Sequence, residues 1–339
     1  MYGGSFDPLH TGHIHDIIKA SSMCEELYVM ISWCDGREST SKELRYRWIL
    51  NSTRHLPNVK IMLIEDKAVS KEEYNTDHYW EKGASDIKNA IGKHIDAVFA
   101  GDDYEGTGRF ESLYCPESEV VYFKRAEVPI CSTNIRDWAS KHWDYIPEVC
   151  RDYYAKKVLV LGGESSGKTT LVQNLALAYN TNFVPEIGRD TCAYAGGEEF
   201  MNAEDMFRNL LFQKTAVMNA AKQANRILFV DTDAITTLFY SYFLLKEGND
   251  IRKCEALASA INDTNEWDLV LFLEPTVPFV QDGTRSEKIK SNRKKYSEQI
   301  KTLLTSHNVP FHCLSGNYYE NFVNAKEMIK NELRIDTEW

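Results

Sequence analysis

Residues 157–170 read K-V-L-V-L-G-G-E-S-S-G-K-T-T. A run of Val and Leu long enough for a buried strand enters a glycine turn. The turn then opens TTLVQNLALAY, which has apolar residues at helical spacing. From Gly162 to Thr169 the turn fits G-x-x-x-x-G-K-[ST], and the strand–turn–helix context makes that pattern a phosphate site. Glycines let backbone N–H groups curl around a β-phosphate without a side-chain clash. Gly162, Gly163, Glu164, Ser165, Ser166 and Gly167 would form the cradle for ATP, with Thr170 just beyond it. Lys168 would place a point charge at the β- and γ-phosphates, Thr169 would offer its hydroxyl to Mg2+, and the helix N-terminus would add partial positive charge.

Working outward, NFVPE (182–186), RILFVD (226–231), DLVLFLEP (268–275) and VPFHCL (309–314) read as further strands separated by long helical patterns. This alternation predicts an α/β unit with a doubly wound parallel sheet. The apolar run before Asp231 puts that carboxylate at the C-terminal edge of its strand, facing the phosphates, where it would join Thr169 at the metal. Asp233 either touches metal or substrate or merely forms a strand-end turn. Glu186 and Arg189 follow the second strand, beside the phosphate loop. Glu186 would accept a hydroxyl proton or hold a ribose, and Asp231 is its rival as base. The charged stretch 281–296 reads as a lid that brings Arg285, and with it Arg293, over the transferring phosphoryl. No N-K-x-D base reader of GTPases is present. An acceptor pocket, a carboxylate and a basic lid point to a kinase acting on a small molecule.

The first half has the same alternation, with ELYVMISW (26–33), NVKIMLIE (58–65), DAVFAG (96–101) and SEVVYF (118–123) as strands. It predicts a second doubly wound parallel sheet, with domains at 1–150 and 155–339 joined near 143–157. At its start, GGSFDPLHTGH places Gly3 and Gly4 at a strand end. That first strand is either very short or begun late. His13 is expected to open the helix HIHDIIKA, with His10 one turn earlier. Imidazole N–H groups and a helix dipole suit the α-phosphate of a nucleotide under attack. The two histidines as metal ligands would need a third, and none is evident nearby.

The composition sets limits. The 339 residues are 43% hydrophobic and 26% charged, with a net charge of −11 and no long basic run. Broad nucleic-acid binding, which needs concentrated Lys and Arg, is therefore not expected. The eight cysteines form no CxxC pair and fit free thiols in a reducing cytoplasm. Neither a signal peptide nor a membrane span is expected. A homo-oligomer is compatible with the sequence.

On these residues a resemblance can be stated. GGSFDPLHTGH resembles the HxGH nucleotidyltransferase superfamily, and ICSTNIRDW (130–138) echoes its ISSTxIR motif, with Cys131 in place of the first Ser. The resemblance implies that Gly3, Gly4, Ser5, Phe6, Gly12 and Asp102 line a nucleotide. It likewise implies that Ser132, Thr133 and Arg136 meet the triphosphate. Followed by the phosphate-loop half, the chain resembles the NadR type of bifunctional enzyme over nearly its whole length. That type joins nicotinamide-nucleotide adenylyltransferase to ribosylnicotinamide kinase. YIPEVCRDYY, PEIGRD, FVDTD and VQDGTR carry the resemblance besides the two phosphate motifs. The implied substrates are ATP, nicotinamide riboside and nicotinamide mononucleotide (NMN), with NAD as product. Trp80 is the candidate aromatic wall for the nicotinamide, and Arg37, Lys42, Arg45 and Arg47 include the candidate acceptor-phosphate ligands. Two alternatives remain: a nucleotidyltransferase fused to a kinase for another sugar or polyol, and a regulator that binds ATP or NAD without turnover.

Overall fold

A computed structural model of the chain describes residues 1–280 and 290–337. The backbone divides into two compact units, Met1–Cys150 and Arg151–Trp339.

The first unit holds five parallel strands: β1 (Tyr2–Gly4), β2 (Leu27–Trp33), β3 (Val59–Glu65), β4 (Ala97–Gly101) and β5 (Glu119–Phe123). Their order across the sheet is β3-β2-β1-β4-β5. The helices that matter here are α1 (Thr11–Ser21), α2 (Lys42–Thr53), α3 (Asp77–Ile91) and α4 (Ser132–Asp137). β1 is the short strand and lies mid-sheet, with Tyr2 paired to Val29 on one side and Phe99 on the other. The chain crosses the sheet after β3, so the C-terminal ends of β1 and β4 flank the switch point, where open α/β sheets bind ligands. One expectation is corrected: helix α1 begins at Thr11, not at His13. His10 is extended, with φ −137° and ψ 168°, and its side chain accepts the His13 N–H as the helix cap. An imidazole here replaces the usual Ser or Asp.

The second unit holds β6 (Lys156–Gly162), β7 (Phe183–Val184), β8 (Ile227–Asp231), β9 (Leu269–Leu273) and β10 (His312–Leu314), also all parallel. Their order is β10-β9-β6-β8-β7. Around them run α5 (Lys168–Ala178), α6 (Ile187–Ala195), α7 (Ala203–Gln223), α8 (Ala234–Leu244), α9 (Gly248–Asp263), α10 (Arg293–Ser306) and α11 (Tyr318–Met328). Val158, Val160, Phe229 and Leu271 pack against Leu171, Val172 and Leu175 of α5. The central strands are buried on both faces, so they read as continuous apolar runs. β7 is shorter than its apolar run because Pro185 has no N–H for the ladder and Glu186 already caps α6. Among the described residues no helix is long and apolar enough to cross a membrane.

Candidate functional site

In the first unit a cavity of about 530 Å³ opens over the ends of β1 and β4. Gly3, Gly4, Ser5, His10, Gly12, His13, Trp80, Ser132 and Arg136 all line it. The two imidazoles are stacked, with centroids 3.6 Å apart and planes 16° from parallel. The ring of Phe6, itself buried, meets His13 edge-on at 4.9 Å. A Cβ on Gly12 would lie 3.1 Å from the His10 ring, so glycine lets the cap and the ring stack coexist.

The cap also fixes chemistry. His10 Nδ1 accepts the His13 N–H at 3.3 Å, so a neutral His10 ring carries its proton on Nε2 and presents a donor there. Burial, with Arg125 adding to it, pushes the His10 pKa down to about 4. Burial, then His10 and Arg125, holds His13 well below the ordinary histidine value. His13 Nδ1 is buried without a hydrogen-bond partner. A buried polar group left without a partner costs stability, and such groups concentrate where a ligand will bind.

Other expected residues of this unit hold the loop in shape. Arg136 donates to the Asp7 carbonyl and to Thr133 Oγ1, and Ser132 donates to the Pro8 carbonyl at 2.9 Å. Asp102 lies outside the cavity lining, where its carboxylate accepts the Arg125 N–H at 3.0 Å. Arg125 itself lines the cavity. Of the four candidate cations, Arg45 is buried and donates to the carbonyls of Ser5 and Ser32. Arg37 lines the cavity but is paired with Glu38 and Asp66. Lys42 sits over the Trp33 ring, and Arg47 is exposed. Trp80 stands among Tyr74, Tyr104 and Phe110, with the Arg109 guanidinium over one face.

Asp7 is a residue the sequence reading missed. Its buried carboxylate accepts from the N–H and the hydroxyl of both Ser39 and Thr40, at 2.6–3.0 Å. It thereby ties the loop after β1 to the segment entering α2. Its only signal was an acid set inside an otherwise apolar F-D-P-L stretch.

In the second unit the phosphate loop follows β6. Gly162 has φ 146°, and a Cβ there would lie 2.6 Å from the Leu273 carbonyl oxygen. Gly167 caps α5 at φ 96°. Lys168 is nearly buried and donates to the Gly163 carbonyl at 3.1 Å, as does Ser166 at 2.9 Å. Thr169 donates its hydroxyl to Asp231 at 2.6 Å. Burial pushes the Asp231 carboxyl up to about 6, against the pull of Lys168. Thr232, buried and β-branched, turns at φ 77° between Asp231 and Asp233. Strain of that kind clusters at functional sites. Gln213 braces the turn by donating to the carbonyls of Asp231 and Thr232 while accepting the Ile187 N–H.

Asp233 caps α8 through Thr236, and its other oxygen is buried without a partner. Arg189 donates to Glu186 and to Thr169, both at 3.3 Å. A cavity of about 110 Å³ adjoins the loop, lined by Glu164, Ser165, Lys168, Glu186 and Arg189 but not by Asp231. Thr170 lies on the exposed side of α5. Arg285 falls outside the described residues, while Arg293 opens α10 and donates to the carbonyls of Ser165 and Val277.

Comparisons with known proteins divide the chain the same way. A cytidylyltransferase-like family model matches residues 1–137, and an AAA domain model matches residues 157–321. The trifunctional NAD biosynthesis/regulator protein NadR of Salmonella typhimurium is 29% identical over 341 residues, which cover 96% of this chain and 81% of that protein. The Escherichia coli protein of the same name gives the same figures. A phosphopantetheine adenylyltransferase of Mycoplasma mycoides is 33% identical over 36% of this chain and 81% of its own. Among solved structures, a NadR protein in complex with NR superposes with a TM-score of 0.84 at 22% identity, covering 100% of this chain and 96% of that one. A NadR protein with NAD and AMP-PNP gives 0.81 at 22%. At that identity the likeness establishes the fold.

Proposed function

We propose that this chain, which is similar to NadR proteins over 96% of its length, carries two successive steps of NAD salvage. The second unit phosphorylates nicotinamide riboside to NMN, and the first joins NMN to the adenylyl group of a second ATP. The observation that carries this reading is the presence, in one chain, of two nucleotide sites built on different plans.

In the kinase step, the ribose 5′-hydroxyl attacks the γ-phosphorus, the bond to the β–γ bridging oxygen breaks, and ADP leaves. Lys168 and the loop N–H groups hold the β- and γ-phosphates. Glu186 lines the acceptor cavity and takes the hydroxyl proton, whereas Asp231 lies outside that lining and is bonded to Thr169. A hydroxyl and a carboxylate converging at 2.6 Å form a donor set that fits a hard cation. Thr169 and Asp231 would hold Mg2+, which would neutralise charge on the β- and γ-phosphates. Arg189 keeps Glu186 oriented.

In the adenylyl step an NMN phosphate oxygen attacks the α-phosphorus and pyrophosphate leaves. The attacking group is already an anion, so no base is needed. Catalysis comes from bringing two anions together and from donors aimed at the α-phosphate. His10 Nε2–H, His13 and Arg136 fill that role while Ser132 holds the loop through the Pro8 carbonyl, with Gly3, Gly4, Ser5 and Gly12 leaving room for the nucleotide. Trp80 and its aromatic neighbours wall the nicotinamide end. Eight free cysteines suit a reducing cytoplasm.

The test is incubation of the full chain with ATP, Mg2+ and nicotinamide riboside. ADP, pyrophosphate and NAD should form, with NMN as a transient. Formation of NMN without NAD would confine the reading to the second unit, and the absence of both would overturn it.

A further inference from the structure

The acceptor cavity of the second unit has more negative lining than a neutral nucleoside needs. Glu164, Glu186 and Glu198 line it, against the cations Lys168 and Arg189. Both cations are already engaged: Lys168 with the loop carbonyl of Gly163, and Arg189 with Glu186 and Thr169. Glu198 pairs with no cation among the described residues. It belongs to the short turn Glu198–Phe200, next to Cys192 at the end of α6. Burial, reinforced by these three carboxylates, holds the Tyr240 phenol on the same cavity wall well above its ordinary value.

A second observation points to a ligand independently. Asn209 of α7 is 5% exposed and lines the same cavity. Its Oδ1 accepts the Thr191 hydroxyl at 2.6 Å, which fixes the amide so that Nδ2 is the free end. Among the described residues that Nδ2 has no partner, and it lies 3.4 Å from where a Cβ on Gly188 would stand, an ordinary contact distance. An amide donor at the wall of a cavity is available to an acceptor oxygen of a ligand. Met201, Met206 and Leu244 supply an apolar surface for a flat ring.

We infer that this cavity selects a cationic nucleoside: Glu198 faces the positively charged pyridinium ring, and Asn209 Nδ2 donates to an oxygen of the same molecule. The inference rests on the kinase reading above and adds the feature that excludes uncharged nucleosides. Nicotinamide riboside carries a fixed positive charge on its ring, whereas purine and pyrimidine ribosides do not. In a partly desolvated cavity a carboxylate separates the two by charge, where shape alone would not.

The experiment compares nicotinamide riboside with its uncharged 1,4-dihydro form, which keeps the ribose and the carboxamide. Phosphorylation by the full chain is followed as ADP release. The wild-type chain should prefer the cation. Glu198→Gln, which keeps the shape and removes the charge, should lower kcat/KM for the cation by about tenfold or more. It should leave the dihydro form within about twofold, so that the preference collapses. Asn209→Ala should weaken both substrates equally through KM, with the melting temperature showing that the fold is retained. Equal losses on both substrates in Glu198→Gln, or no loss on either, would overturn the inference. A wild-type chain that phosphorylates both forms without preference leaves the kinase assignment standing and removes this one. A wild-type chain that phosphorylates neither removes both.

Discussion

The two phosphate sites proposed for this chain differ in what they are made of. In the second unit the cradle is backbone, held by Gly162 and Gly167 at φ values that other residues rarely adopt. In the first it is a pair of side-chain rings, stacked and aligned because one of them caps the helix that carries the other. The difference follows from where the bond breaks. Transfer of the terminal phosphoryl requires many weak donors around the β- and γ-phosphates, and a curled backbone supplies them at fixed spacing. Attack at the α-phosphorus leaves a pyrophosphate to depart, so a few strong donors must sit deeper, where the adenylyl group stays. A backbone cradle tolerates most side-chain changes that spare its glycines and its lysine. A ring pair depends on both rings.

The largest effect should come from Lys168→Ala. It should abolish phosphorylation of nicotinamide riboside while adenylylation of supplied NMN stays near normal, because the two sites lie on separate sheets and their effects should add independently. Both half-reactions assayed on the same preparation give the answer. Loss of both in a folded variant would break the contrast between the sites.

Next in size is His13→Ala. Removing one donor aimed at developing charge typically costs about 10²–10³ in rate, so NAD formation from NMN should slow by that factor while kinase turnover is unchanged. The ring packs on Phe6 and His10, so a thermal melt should accompany the assay. Near-normal adenylylation would show that the ring pair is scaffolding rather than a donor set.

The smallest effect sharpens the comparison through pH. His10 has its folded pKa lowered by burial from 6.5 to about 4. Between those values the unfolded chain binds a proton at this position that the folded chain refuses. Stability of the ligand-free first unit should therefore fall as pH drops from about 6.5 towards 4. His10→Asn keeps a capping oxygen and has no proton to gain, so its melting temperature should depend less on pH across that window. Identical slopes for the two proteins would show that His10 is not held neutral by its surroundings.

Much of this was legible from the residues. The strands could be read because buried parallel strands are continuous Val, Ile, Leu and Phe runs, and the phosphate loop because its glycines and lysine are adjacent in the chain. The parts that escaped depend on partners distant in sequence. Asp7 finds its four donors on Ser39 and Thr40, over thirty residues later. Arg45 could not be told from Arg37, Lys42 and Arg47, because only the fold shows that its guanidinium runs beneath the glycine loop to the Ser5 carbonyl. The cap on α1 was misplaced because an imidazole is an unusual N-cap. Glu186 and Asp231 could not be told apart along the chain, because only the fold puts Glu186 in the lining of the cavity beside the phosphate loop and leaves Asp231 out of it.

The central position of β1 and of β6 has a consequence for how the chain is made. β1 is paired by β2 and β4, and β6 by β8 and β9. On the ribosome each of these strands emerges ahead of its neighbours, together with the loop that follows it. The first loop must wait for residues 97–101 and then for Ser132 and Arg136, and the second for residues 227–231 and 269–273. Parallel pairing of this kind closes long loops before any contact rewards it. In each unit the phosphate loop is therefore translated before the neighbouring strands that organise it. The first half can finish this process while the second is still being synthesised.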